Sequence, residues 1–271
     1  MDTLIDVDAA PVAWREAGPA DGDAVLFLHG LGGSRVAWDP QLDALAAGGF
    51  RCAAWDMPGY GASVTPDGAL TFTLLADAVV AWMDALDVAA AHVVGLSLGG
   101  MIAQHVALRS PARVCSLALL DTSPAFNFDG ATTAESWIEQ RLAPMQTGAS
   151  PASMADTVLR AIMGPDVADA AVAKGVAAMS RISGDGLAAA VRCLVTHNVR
   201  SELHRITVPT LVIVGEHDRE TPLPYATFIA DAIPGARLEV VAGAGHITNL
   251  EQPAAAVNRL LVGFLNDGGA R

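Results

Sequence analysis

Short runs of apolar residues alternate with longer segments of helical periodicity along the first part of the chain. The apolar runs each end in a polar or glycine turn: AVLFLHG, FRCAAWD, AHVVGLS and VCSLALLD. The segments between them space apolar residues three and four positions apart, as in amphipathic helices: VAWDPQLDALAAGG, TFTLLADAVVAWMDALDV and LGGMIAQHVALRSP. This alternation predicts parallel strands with right-handed crossovers, in an α/β sheet covered by helices on both faces.

The alternation stops between residues 125 and 204. Four helical stretches follow one another there without a convincing strand: TTAESWIEQRLAPM, PASMADTVLRAIMG, DVADAAVAKGVAAMSRI and GLAAAVRCLVTHNV. Strands and helices then resume with ITVPTLVIVGEHD, PLPYATFIADAIPG and ARLEVVAGAGH, and end with QPAAAVNRLLVGFLND. We therefore predict one α/β core, formed by residues 1–124 and 205–271 and interrupted by a helical insertion at 125–204.

Composition narrows the class of protein. The chain has 271 residues, of which 52% are hydrophobic, and this is enough for a sizeable core. The net charge of −13 would repel phosphate backbones, so we predict no nucleic-acid partner. The three cysteines are far apart, and the chain has neither a CxxC pair nor a zinc-ligand spacing, so we predict no zinc site.

The N-terminal sequence MDTLIDVDAAP is acidic and does not resemble a signal peptide. No apolar run approaches the ~20 residues that a membrane-spanning helix needs. We therefore expect a cytoplasmic protein without a membrane partner. Whether it forms a homo-oligomer is left open by the sequence.

The stretch HVVGLSLGGM places one serine between two apolar segments. Ser97 has a glycine two residues before it and another two residues after it, and it lies between a predicted strand and a predicted helix. A tight strand-to-helix turn forces its central residue into a strained backbone conformation and raises the side chain above the sheet. This context predicts that Ser97 is a nucleophile.

A serine nucleophile needs a base, and the base needs an orienting acid. Of seven histidines, His246 follows a predicted strand and lies in a glycine-rich loop, so it can reach Ser97 at the shared edge of the sheet. Asp218, after the penultimate strand, is the favoured acid. Asp121 and Glu216 are the two alternatives.

The tetrahedral intermediate of acyl transfer also needs hydrogen-bond donors for its oxyanion. The glycine-rich segment LHGLGGS follows a core strand and offers the backbone N–H of Leu31. Leu98, directly after the serine, offers a second N–H. We expect His29 to shape this loop. The segment lacks the residues of a nucleotide-phosphate loop, so we predict no nucleotide site.

Five motifs together resemble those of the α/β-hydrolase superfamily, in the same order along the chain: HGLGG, WDMPGYGAS, GLSLGGM, VGEHD and GAGHITNLEQP. The resemblance implies an α/β-hydrolase fold, a triad of Ser97, Asp218 and His246, and neither a metal nor an organic cofactor. It also implies that the insertion is a helical cap. Within the superfamily, GLSLGGMIAQHVALRSPARVCSLALLDTSP, AESWIEQR and HITNLEQP look most like 3-oxoadipate enol-lactonases.

These similarities imply a lactonase-like or carboxylesterase-like serine hydrolase that cleaves an ester or lactone of a small molecule through an acyl-enzyme. Trp137 is a candidate pocket residue, or else part of the core. Arg141, Arg181 and Arg192 are candidate cations for an anionic substrate, although a cap arginine is more often solvated or ion-paired.

Two other functions remain open. A hydrolase that cleaves C–C bonds in meta-cleavage products would use the same triad. A ligand receptor on this fold would not need all three residues, and the presence of all three argues against that reading.

Overall fold

The computed structural model describes residues 5–7, 12–251 and 254–268. These residues form a single sheet whose strands are β1 (Ile5–Val7), β2 (Trp14–Ala17), β3 (Ala24–Leu28), β4 (Arg51–Trp55), β5 (Ala91–Leu96), β6 (Val114–Leu120), β7 (Thr210–Gly215) and β8 (Arg237–Val241). The spatial order of the strands is β1-β2-β4-β3-β5-β6-β7-β8. The carboxyl ends of β5, β7 and β8 therefore lie at one edge, close to one another.

Strands β3 to β8 pair in parallel, as the alternating sequence pattern predicts. Strands β1 and β2 are antiparallel to their neighbours. These two strands were not predicted from the sequence. β2 has only four residues and carries Arg15 and Glu16 at its centre, so it produces no apolar run. Pairing with β4, rather than its own pattern, fixes β2 as a strand.

Helices cover both faces of the sheet and the edge that holds the site. The α-helices are α1 (Asp39–Ala46), α2 (Phe72–Ala85), α3 (Leu98–Arg109), α4 (Ala134–Gln146), α5 (Pro151–Ile162), α6 (Asp169–Met179), α7 (Gly184–Leu194), α8 (Leu223–Ala232) and α9 (Ala254–Gly268). The segment VAWDPQLDALAAGG was expected to be one helix. It is divided into a 3₁₀ turn at Arg35–Trp38 and helix α1.

The buried side chains form two hydrophobic clusters on opposite faces of the sheet. One cluster joins Leu42 of α1 and Leu261 of α9 to the sheet. The other joins Val79 of α2 and Ile102 of α3 to the sheet, and it continues into the helices α5 to α7. This arrangement explains why the central strands are apolar at nearly every position: both of their faces are covered.

Helices α4 to α7 all lie between β6 and β7, within residues 125–204. An antiparallel bridge between Ala125 and Asn198 brings the two ends of this segment together. Local sequence starts these helices: Ser150 and Ser153 form a reciprocal capping box at α5, and Pro151 occupies its first turn. We call these four helices the cap. The boundaries of the three chain segments stay a prediction.

Candidate active site

Ser97 lies in the turn between β5 and α3, with φ +51° and ψ −116°. A positive φ is strained for a residue with a side chain, and here it lifts the hydroxyl above the sheet edge. A Cβ on Gly95 would lie 2.4 Å from the carbonyl oxygen of Gly99, and one on Gly99 would lie 1.9 Å from that of Leu28. Close packing around the turn therefore requires both glycines of GLSLG.

His246 lies in the loop after β8, and its ring reaches the serine. Nε2 of His246 is 3.0 Å from Oγ of Ser97. Nδ1 of the same ring lies 3.0 Å from each carboxylate oxygen of Asp218. With the Nδ1 proton donated to Asp218, Nε2 is free to accept the proton of the serine hydroxyl.

Asp218 follows β7 and is itself held in place by the loop that continues from it. Its Oδ1 accepts hydrogen bonds from the backbone N–H groups of Glu220 at 2.9 Å and Thr221 at 3.0 Å. Its Oδ2 accepts one from the Thr221 hydroxyl at 2.9 Å. This role of Thr221 was not predicted from the sequence, although a threonine three residues after an aspartate is a common local hydrogen-bond partner.

The two alternative acids have other partners. Asp121 is fully buried and accepts hydrogen bonds from the N–H of Gly215 at 3.0 Å and from the N–H and hydroxyl of Thr248 at 3.0 and 2.6 Å. Asp121 thus joins the end of β7 to the loop after β8, and it has no hydrogen bond to the His246 imidazole. Glu216 is exposed and accepts from the N–H of Gly243 at 2.9 Å. Of these three carboxylates, Asp218 is the one that is hydrogen-bonded to the His246 ring.

Residues 25–260 match the sequence pattern of the alpha/beta hydrolase family. The chain belongs to the alpha/beta hydrolase family. The match covers the core strands from β3 onward, the cap and the first half of α9, so it includes every element that positions the three side chains.

Relatives support the same assignment. 3-Oxoadipate enol-lactonase 2 of Acinetobacter baylyi is 31% identical over 261 residues, which are 94% of this chain and 92% of that protein. A hydrolase structure from Pseudomonas aeruginosa matches with a TM-score of 0.84 at 31% identity, over 97% of this chain and 98% of that one. The enol-lactonase structure from Burkholderia xenovorans matches with a TM-score of 0.85 at 28% identity, over 97% and 100%. These findings confirm the predicted fold and family.

The electrostatics of this alpha/beta hydrolase site couple the imidazole to the carboxylates. Burial alone would lower the pKa of His246, but the charge and hydrogen bond of Asp218, with Asp121 and Glu220 farther away, raise it to about 9. Burial and the charge of Asp218 raise the pKa of Asp121 to about 7. Burial disfavours the ionised form of Asp218, yet the imidazole and Thr221 hold its pKa below the usual value. Of the two carboxyl groups, Asp121 and Asp218, it is therefore Asp218 that is ionised.

The two amides expected to bind an oxyanion lie beside the serine. Leu98 is the first residue of α3, so its N–H has no acceptor within the helix. The loop that carries Leu31 passes directly against Ser97, since a Cβ on Gly30 would lie 3.2 Å from the Cβ of Ser97. The placement is compatible with two donors aimed at one point. Their role stays a prediction.

We expected His29 to shape this loop, and in the structure it orients the peptide unit between Gly30 and Leu31. Nε2 of His29 accepts from the N–H of Met57 at 3.0 Å, which leaves Nδ1 protonated to donate to the carbonyl of Gly30 at 2.9 Å. The N–H of Gly33 donates to the same carbonyl at 3.0 Å. Because the peptide unit is planar and trans, fixing the Gly30 carbonyl turns the Leu31 N–H to the opposite side.

Glu251, in the motif HITNLEQP, fixes the His246 loop and was not recognised from the sequence as a positioning residue. Its side chain is 1% exposed. It accepts hydrogen bonds from the N–H groups of Gly164 at 2.7 Å, Gly245 at 2.8 Å and Ile247 at 2.9 Å. Gly164 lies in the cap, between α5 and α6. One buried carboxylate therefore joins the loop on both sides of His246 to the cap.

A cavity of about 460 Å³ lies beside Ser97 and His246, between the sheet edge and the cap. Its volume suits a small molecule. Much of its wall is apolar and comes from cap helices α5 to α7, including Met154, Val158, Leu159, Met179, Val191 and Leu194.

Trp137 and Arg141, the two pocket candidates from the sequence, both line this cavity from helix α4. The guanidinium of Arg141 is paired with Glu220 and lies over the Trp137 ring, 5.1 Å from its centroid. Arg181 and Arg192 do not line the cavity. Arg181 instead lies 3.6 Å from the buried carboxylate of Asp56.

Three further histidines, His92, His105 and His197, have hydrogen-bond partners outside the triad. His92 contacts the Ser116 hydroxyl at 2.7 Å on a buried strand. His105 and His197 are 3.2 Å apart, and burial lowers their pKa values to about 4 and about 3. These rings are neutral structural groups at physiological pH.

Within residues 5–7, 12–251 and 254–268, no cluster of three or more His, Cys, Asp or Glu side chains has the arrangement of a metal site. None of the helices in those residues combines the length and apolar character needed to cross a membrane.

Proposed function

We propose that this alpha/beta hydrolase cleaves a carboxylic ester or lactone of a small molecule through an acyl-enzyme. The observation that carries the proposal is the continuous contact from Ser97 through His246 to Asp218, with 3.0 Å at each step. The triad opens into a largely apolar cavity, which suits an organic acyl group.

In the proposed reaction, Oγ of Ser97 attacks the carbonyl carbon while Nε2 of His246 takes the hydroxyl proton. The N–H groups of Leu31 and Leu98 stabilise the negative oxygen of the tetrahedral intermediate. Collapse of the intermediate breaks the bond to the alcohol oxygen, which receives the proton from His246. Water then attacks the acyl-enzyme with His246 as base, and Ser97 recovers its proton.

A lactone is the favoured form of the substrate. Two of the proteins described above are named enol-lactonases, and they cover nearly the whole chain at 31% and 28% identity. In a lactone the leaving alcohol remains tethered to the acyl group, so the cavity must hold only one product.

The test measures kcat/KM for 3-oxoadipate enol-lactone, a neutral 4-nitrophenyl ester and a dienoic keto acid of the meta-cleavage type. Ester or lactone turnover that is lost in Ser97→Ala would support the proposal. Preferred turnover of the keto acid would replace it with C–C bond hydrolysis by the same triad.

Labelling by a fluorophosphonate provides a second measurement that is independent of substrate choice. Labelling should disappear in Ser97→Ala and persist in Ser180→Ala, since Ser180 is exposed on the cap and outside the triad. A wild-type protein that neither reacts with the probe nor turns over any of the three substrates would refute the function and favour a receptor.

A further inference from the structure

The cavity carries a cation that is already neutralised. Nη2 of Arg141, on cap helix α4, lies 2.5 Å from Oε2 of Glu220, in the loop after β7. The two residues are 79 positions apart, and both line the cavity. Each side chain is 34% exposed, so the pair is partly shielded from water at the boundary between cap and core.

The Arg141 guanidinium also lies over the Trp137 ring, 5.1 Å from its centroid. An arginine that contacts both a carboxylate and an aromatic ring has its charge compensated and its orientation restricted. A substrate carboxylate that used Arg141 would have to displace Glu220, and Glu220 would then face the substrate as an uncompensated negative charge.

Apart from the His246 imidazole, which is paired with Asp218, the other charged side chains that line the cavity do not supply a sheltered cation. They are Asp129 and Arg219, and both residues are exposed. Together with the ion pair they make two acidic and two basic groups, so the formal charge of the cavity walls balances. The charge of an exposed arginine is screened by water, and it compensates a buried carboxylate less effectively than a partly buried one.

Glu220 is also close to the reacting atoms. Its backbone N–H holds Asp218, and its carboxylate contributes to the raised pKa of His246. A negative group on the substrate near Arg141 would therefore meet Glu220 on its way to Ser97. Helices α5 to α7 line the cavity with apolar residues, and an unpaired charge is costly to bury against such a wall.

We infer that Glu220 is a specificity-determining residue: by occupying Arg141 it makes the site selective for uncharged esters or lactones over those that carry a carboxylate. The inference rests on the proposed function and adds to it the charge class of the substrate. It also implies that one substitution can release a carboxylate-binding cation already built into the cap.

The experiment compares 4-nitrophenyl pentanoate with the 4-nitrophenyl monoester of glutaric acid, which differs by a terminal carboxylate. The readout is the ratio of kcat/KM for the anionic ester to that for the neutral ester. We expect wild type to favour the neutral ester. Glu220→Gln should raise the ratio about 10- to 100-fold, the range expected for gaining one hydrogen bond to a charged group.

Two further variants test whether Arg141 is the released cation. Arg141→Gln should lower the ratio below wild type, because Glu220 is then unneutralised beside the substrate. The double variant Arg141→Gln/Glu220→Gln should lose the gain seen in Glu220→Gln. Glu216→Gln is the matched control: it removes the same charge from the same loop, but Glu216 does not line the cavity, so the ratio should stay at the wild-type value.

Three results would overturn the inference: a wild-type preference for the anionic ester, an unchanged ratio in Glu220→Gln, or an equal rise in Glu216→Gln. In each of these, Ser97-dependent hydrolysis would still support the proposed function. Absence of turnover of both esters by wild type, with no fluorophosphonate labelling of Ser97, would remove the function and the inference together.

Discussion

The sheet edge and the outer side of the cap hold their functional side chains in different ways. At the sheet edge, Asp218 accepts three hydrogen bonds from its own loop besides those of the imidazole, and Glu251 accepts three from backbone amides. On the cap, Arg141 and Arg181 are each joined to the core by an ion pair: Arg141 pairs with the partly exposed Glu220, and Arg181 with the buried carboxylate of Asp56. Each carboxylate at the sheet edge is therefore fixed by several hydrogen bonds, while a single substitution can remove an ion pair of the cap.

The cap itself shows the same contrast between its inner and outer parts. The end of α5 is bound to the site by main-chain bonds: the N–H of His246 donates to the carbonyl of Ile162 at 2.8 Å, and Gly164 donates to Glu251. The outer helix α4 approaches the site through the side chains of Trp137 and Arg141. A protein built in this way can change substrate preference at α4 without disturbing the position of His246.

Asp218→Asn should give the largest loss. The asparagine keeps the shape of the side chain but removes the charge that orients and stabilises the imidazole, and a comparable change in a serine protease triad lowers kcat by about 10⁴. We expect a loss of about 10³- to 10⁴-fold in kcat/KM with a folded protein. Kinetics and circular dichroism together check this. A loss below about tenfold would mean that Asp218 is not the acid.

The pH dependence of kcat/KM tests the same interaction between Asp218 and His246. Only the neutral His246 can accept the serine proton, and its pKa is raised from 6.5 to about 9, chiefly by Asp218 acting against burial. Activity should therefore rise with pH, and be lost as the pH falls through the raised pKa of the folded enzyme. A plot of log kcat/KM against pH should have its acidic limb above pH 6.5. A midpoint below that value would contradict a net stabilisation of the imidazolium.

Glu251→Gln should have an intermediate effect, because glutamine has one acceptor oxygen where the buried carboxylate serves three amides. We expect the free energy of unfolding to fall by about 1–3 kcal/mol, the cost of leaving buried donors unsatisfied. Displacement of His246 should also lower kcat by about 10- to 100-fold. Glu239→Gln, at an exposed position on β8, is the matched control.

For Glu251→Gln, the free energy of unfolding should be measured by chemical denaturation, and kcat by steady-state kinetics with a saturating substrate. A variant that loses stability but keeps the wild-type kcat would show that Glu251 supports the fold without positioning His246. If stability and kcat both equal those of Glu239→Gln, Glu251 contributes neither to stability nor to the position of His246.

Arg181→Gln should have the smallest effect. It breaks one ion pair between the cap and Asp56, whose carboxylate keeps the N–H of Arg35 as a hydrogen-bond donor at 2.9 Å. We expect a loss of about 0.5–1 kcal/mol in the free energy of unfolding and a fall in Tm of about 1–4 °C. Arg160→Gln, on an exposed pair of the cap, should leave Tm unchanged. A fall in Tm larger than that of Glu251→Gln would reverse the comparison between edge and cap.

Strong local patterns made much of the site predictable. GLSLG combines an apolar strand, two small residues and a helix, and the structure places Ser97 in the strained turn that this pattern predicts. His246 follows a strand in a glycine-rich loop, and parallel strand order brings it to Ser97. By contrast, nothing periodic marks Glu251 or Thr221, since each acts through hydrogen bonds whose partners are fixed only when loops meet.

Periodicity and contacts between near neighbours were enough to predict the α/β alternation, the helical interruption and the serine between β5 and α3, and motifs in order along the chain indicated the family. Three features required the folded structure: which of three carboxylates faces His246, that Glu251 joins its loop to the cap, and that Arg141 is paired with Glu220. Those choices depend on contacts between side chains distant in sequence. Polar side chains that meet across such distances leave no repeating pattern, because their energy comes from direction and distance rather than from a buried face.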